Sequence, residues 1–233
     1  PRSSSAASDV YKRQQYNDSM RIMLILLIPI FISSCGSGSS ESETEGISPE
    51  PVPVVNIDPH QVGTLAREIV HDNIIRRFIL YVPDSYDRNT PTPLLFNFHG
   101  YGSNAEQQMN YGDFRSIADN EGFLILHPQG TRLPSTGSTH FNVGGWTRGS
   151  NIDDVGFTNY LINVISRLYN IDELKIFSTG MSNGGFMSYE LACKLSARIA
   201  GIASVTGSMT PETYDECVPD RPVTIIQMHG IED

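Results

Sequence analysis

Cysteine is scarce in this 233-residue chain, with only three in all. That is too few for a disulfide-stapled mini-domain, so a hydrophobic core must supply the stability. Basic residues are also few: 16 Lys and Arg stand against 26 Asp and Glu, for a formal charge of −10. A phosphate-backbone binder carries a basic stripe, so no nucleic-acid partner is expected. Close approach to an anionic membrane surface is disfavoured for the same reason. No glycine-rich phosphate loop and no zinc-type Cys/His cluster occurs, so neither cofactor nor metal is expected. There is no internal repeat, and the length suits one domain once the N-terminus is set aside.

The N-terminus reads as a processing region. Residues 1–19 have no apolar periodicity and precede Met20, and they are expected to be upstream or non-native sequence. Arg21 then leads into an apolar run over 22–32, too short to span a bilayer but suited to a signal peptide. The run ends in Ile32-Ser33-Ser34-Cys35, which resembles a bacterial lipobox, so Cys35 is the expected lipidation site. Residues 36–53 are rich in Gly, Ser, Glu and Pro and cannot bury enough apolar surface to order themselves. They read as a tether, with the membrane reached through the lipid anchor alone and a folded domain over 54–233. Cys193 and Cys217 remain. Export to an oxidising compartment favours a disulfide between them, with two separate buried thiols as the alternative.

Within the domain, apolar runs at 76–83, 93–99, 123–127, 175–178, 199–205 and 223–229 predict strands. Helical spacing predicts helices over 113–120, from Asp153 or Asp154 to 169, and over 183–195. Strands apolar on both faces that alternate with helices imply a mostly parallel sheet covered on both sides. Residues 129–151, rich in Gly, Ser, Thr and Asn, read as a long and functional loop.

The sharpest chemical signal is Gly180-Met181-Ser182-Asn183-Gly184. This G-x-S-x-G string follows a predicted strand and opens a predicted helix, the context in which the serine becomes a nucleophile on a strained turn. The helix N-terminus behind Ser182 supplies donors where negative charge develops in acyl transfer. An earlier strand ends in His99-Gly100-Tyr101-Gly102, so the backbone N–H groups of Tyr101 and Asn183 are the expected oxyanion pair. A later strand runs into His229-Gly230-Ile231-Glu232-Asp233, which makes Asp233 the candidate acid and Glu232 its neighbouring competitor. None of the six histidines follows that acid. The general base is therefore expected beyond residue 233, and these residues alone are expected to be inactive.

From about Arg76 onward the chain resembles the polyhydroxybutyrate depolymerase-type esterases, a group close to bacterial feruloyl esterases and carbohydrate esterase family 1. The resemblance is carried by LLFNFHGYG, FLILHPQG, IDDVGFTNYLI, IFSTGMSNGGFMSYELACKLS and RPVTIIQMHGIED. It implies an α/β-hydrolase fold and a secreted serine esterase acting on polyhydroxybutyrate-like, feruloyl or acetyl esters. It also implies that Ser182 is the nucleophile and that Asp233 matches the acid of an H-G-T-x-D segment. Ile231 stands where that segment usually has threonine. Cysteines at the positions of Cys193 and Cys217 are common in the family, in keeping with a bridge.

Several residues keep two readings. Asp153 and Asp154 read as helix caps rather than catalytic acids. Trp146, the single tryptophan, is either a stacking surface for a sugar or aromatic acyl group or a loop anchor. His99, His127 and His229, at strand ends, read as packed residues rather than metal ligands. A peptidase on the same fold and a catalytically silent polymer-binding lipoprotein are the competing functions.

Overall fold

The structure is a computed structural model that describes Asp58 and residues 61–232. The processing region with Cys35, the tether and Asp233 lie outside the described residues. Contacts divide the chain into Pro1–Ser48 and Pro49–Asp233, and every described residue belongs to the second unit.

Among the described residues, nine strands form a seven-stranded sheet and a small hairpin. In chain order they are β1 (Gly63–His71), β2 (Ile74–Val82), β3 (Thr92–Phe98), β4 (Leu124–Pro128), β5 (Thr131–Arg132), β6 (Thr139–His140), β7 (Ile171–Met181), β8 (Ile199–Val205) and β9 (Thr224–Met228). The helices are α1 (Ala105–Tyr111), α2 (Arg115–Glu121), α3 (Asp154–Leu168), α4 (Asn183–Lys194) and α5 (Pro211–Asp215). The sheet order is β1-β2-β4-β3-β7-β8-β9. From β4 to β9 all neighbours are parallel, while β1, β2 and β4 pair antiparallel.

Side-chain alternation explains the two covered faces. Leu94, Phe96 and Phe98 of β3, with Leu124 and Leu126 of β4, join one core cluster with Phe157, Leu161 and Ile165 of α3 and Met187 and Leu191 of α4. On the opposite face, Asn97 donates to the Gly112 carbonyl and accepts from Gln108, which ties β3 to α1. The sheet is mostly parallel, as expected, with an antiparallel edge formed by β1 and β2. Asp72 and Asn73, at φ 51° and 60°, make the tight turn that returns β1 onto β2.

Asp153 and Asp154 have different duties. Asp153 caps α3 by accepting from the Gly156 N–H at 2.7 Å. Asp154 is not a cap: it is buried, pairs with Arg76 of β2 at 2.5 Å and accepts from the Asn142 N–H at 2.7 Å. Arg76 also lies over the Phe157 ring at 3.9 Å. Burial raises the Asp154 carboxyl above its ordinary value, against the pull of Arg76.

Candidate active site

Ser182 sits between the end of β7 and the start of α4 at φ 52° and ψ −117°. An L-residue with a side chain rarely takes this conformation, and it is held here from both sides. The Ser182 N–H donates to the Val205 carbonyl of β8 at 2.8 Å, and its carbonyl accepts from Phe186 at 3.0 Å. The flanking glycines allow the turn to close. A Cβ on Gly180 would come 2.5 Å from backbone atoms of Gly184 and 2.8 Å from the Phe98 carbonyl oxygen. A Cβ on Gly184 would collide with that same carbonyl. Ser182 itself is half-buried.

The loop after β3 lies against this turn. A Cβ on Gly100 would be 3.7 Å from the Ser182 Cβ. Tyr101 follows at once, with its ring exposed and its hydroxyl bonded to Thr136. Gly102 donates to the Thr139 carbonyl at 2.8 Å, docking the loop onto the β5–β6 hairpin. Asn183 is fully buried at the first position of α4, where its backbone N–H has no helical acceptor. The structure therefore brings Ser182, Tyr101 and Asn183 together.

The segment expected to carry the acid follows β9. Thr206 donates to the Met228 carbonyl at 2.8 Å, so β9 ends at the same rim of the sheet as Ser182. Asp233 is outside the described residues. His229 is exposed, with its Nδ1 3.2 Å from the Gln227 amide nitrogen. His99 and His127 are buried, and burial pushes both imidazoles down to about 4, so both are neutral.

No known family model matches the chain. Curated relatives do. It is 30% identical over 158 residues to feruloyl esterase C of Emericella nidulans, covering 68% of this chain and 55% of that protein. It is 29% identical over 160 residues to feruloyl esterase B of Piromyces equi, covering 68% and 29%. It is 27% identical over 154 residues to the bifunctional acetylxylan esterase/xylanase XynS20E of Neocallimastix patriciarum, covering 66% and 21%. The chain thus spans from about a fifth to about half of the lengths of these relatives. Among solved structures, a ferulic acid esterase superposes with a TM-score of 0.51 at 14% identity, covering 62% of this chain and 60% of that one. An S-formylglutathione hydrolase from Agrobacterium tumefaciens gives 0.51 at 17% identity, covering 62% and 57%. This chain is an α/β-hydrolase related to the feruloyl and acetylxylan esterases.

In this esterase relative the long stretch 129–151 is more ordered than its composition suggests. It holds the β5–β6 hairpin and a 3-10 turn over Gly145–Thr147. Two grips that sequence reasoning missed hold it in place. The Asn183 side chain accepts from the Phe141 N–H at 2.7 Å and donates to the Phe141 carbonyl at 3.1 Å. Glu212 of α5 accepts from the Gly145 N–H at 3.0 Å and pairs with Arg148. The turn presents Trp146, 47% exposed, edge-to-face on Phe186 of α4 at 4.7 Å. Trp146 is thus both packed against α4 and open to solvent.

Cys193 and Cys217 form a disulfide that joins the end of α4 to the segment after α5. Among the described residues, one group of side chains could together reach a metal ion: His71, Asp72 and Asp153. It includes none of the three strand-end histidines. Its Asp153 caps α3, and its His71 ring stacks on Tyr160 at 5.3 Å.

Proposed function

We propose that the protein hydrolyses carboxylic esters through an acyl-enzyme, with Ser182 as the nucleophile. The observation that carries this reading is the strained Ser182 backbone between β7 and α4, with the Gly100–Tyr101 peptide beside it. In the proposed mechanism Ser182 Oγ attacks the ester carbonyl, and the resulting oxyanion accepts hydrogen bonds from the Tyr101 and Asn183 N–H groups. A general base must take the serine proton and return it to the leaving alcohol. His99 bonds to backbone groups through both of its ring nitrogens. His127 is closed off in the core. Neither of these two is therefore assigned as the base, and we propose a histidine oriented by Asp233 in that role. Water then releases the acid.

The substrate class is a polyhydroxybutyrate-like, feruloyl or acetyl ester, the latter two in line with the activities named for its relatives. Export with lipidation at Cys35 belongs to the same reading, and the Cys193–Cys217 bridge supports an oxidising compartment. The test is hydrolysis of p-nitrophenyl acetate and methyl ferulate by the full-length protein. Ser182→Ala is expected to lower kcat by at least about 10³-fold with the fold intact. A Ser182→Ala protein as fast as the parent would end the proposal.

A further inference from the structure

We propose that His99 is a positioning residue that locks the Gly100–Tyr101 peptide so that the Tyr101 N–H faces the reacting serine, an inference that rests on the esterase reading above.

The His99 tautomer follows from its partners. The ring is fully buried beside Phe141, with centroids 4.6 Å apart. The Gly130 N–H donates to Nε2 at 2.9 Å, and the Gln129 amide nitrogen lies 3.3 Å from the same atom. Nε2 therefore offers its lone pair, and the ring proton sits on Nδ1. Nδ1 in turn donates to the Gly100 carbonyl oxygen at 2.8 Å. Ser103 N–H reaches that oxygen as well, at 3.1 Å.

A trans peptide is planar, and its C=O and N–H point in opposite directions. The described chain has no cis peptide bond. Two donors that hold the Gly100 oxygen on the inner side thus aim the Tyr101 N–H to the other side. Among the described residues that N–H finds no acceptor, whereas the next two amides, Gly102 and Ser103, are both bonded. Gly100, which has no side chain, offers this peptide little steric resistance to rotation about its own ψ. A flip would point a carbonyl oxygen, rather than an N–H, at the developing oxyanion. The His99 bond opposes that flip, and burial keeps the ring neutral and its Nε2 lone pair available.

Leucine at 99 removes the donor while keeping apolar bulk. Asparagine restores a donor near the Nδ1 position, and glutamine places its amide too far along to reach Gly100. In the full-length protein, His99→Leu is expected to lower kcat on a p-nitrophenyl ester by on the order of 10²-fold while KM holds. A boronic acid that forms a tetrahedral adduct on the serine should lose affinity by a similar factor. His99→Asn should recover most of both quantities, and His99→Gln should not. Parent-like kcat in His99→Leu, equal losses in all three variants, or unchanged boronate affinity would each overturn the role. If His99→Leu fails to fold, the Asn-against-Gln comparison decides alone. A parent protein inert toward every ester would remove the esterase reading and this inference with it. An active parent with an indifferent His99→Leu removes the inference only.

Discussion

Ser182 occupies a backbone conformation that its own side chain makes costly. At φ 52° and ψ −117°, a residue with a Cβ stores on the order of 1–3 kcal/mol. Glycine has no such penalty, so Ser182→Gly is expected to raise stability by about 1 kcal/mol while abolishing ester hydrolysis. Urea unfolding would show this as a higher midpoint at an unchanged slope. An equal or lower midpoint would mean that the turn holds no strain. The serine and its flanking glycines were legible because their requirement is local: a strand end, a sharp turn and a helix start all lie within a few residues. The Asn183 side chain was not legible. Its partner, Phe141, is 42 residues away, and no local pattern announces which loop a buried amide will grip.

At the scale of elements, β3 and β4 were readable because burial along nearly their whole length makes them continuous apolar runs, whereas β9, read as an equally buried strand, is exposed at every residue because it is the last strand at the sheet edge. At the antiparallel edge β2 was read within two residues of its bounds, while β1 was not. In β1 buried Leu65 and Ile69 alternate with exposed residues, and the charged positions mask the strand. Two short helices also escaped, although their start signals are present. Asn104 caps α1 through the Gln107 N–H, and Thr210 precedes Pro211 at the start of α5. The helix α5 matters beyond its length, because its Glu212 anchors the Trp146 turn and the disulfide behind it reaches α4. The bridge closes a loop between positions 24 residues apart, which predicts a stabilisation of about 3 kcal/mol. Replacing both cysteines by serine should lower the denaturation free energy by that amount, and reductant should then have no further effect. A double variant as stable as the parent would show that α5 is held by its other contacts alone.

Over the whole molecule, the buried histidines set a response to acid. His99 and His127 have imidazoles lowered to about 4 by burial, from an ordinary value near 6.5. The unfolded chain takes up protons at higher pH than the folded one. The stability they contribute is therefore complete above about pH 6.5 and is lost as pH falls toward 4, by roughly 3 kcal/mol for each ring. Asp154, raised by burial, offsets part of this loss. Melting temperatures measured from pH 7 to pH 4 should fall steeply in that interval, and replacing His127 with an apolar residue should flatten the fall. A flat profile in the parent would contradict the neutral, buried state of both rings. The sequence by itself determined the alternating strand and helix order and the tight Gly180–Gly184 turn around Ser182, because these rest on periodicity and on a motif a few residues long. Only the tertiary structure decided that Cys193 bonds Cys217, that Arg76 meets Asp154, that Asn183 and Glu212 hold the 129–151 stretch, and that the buried His99 ring lies between Gly130 and the Gly100 carbonyl. Those contacts join residues far apart in the chain, and it is the sheet order that makes them neighbours.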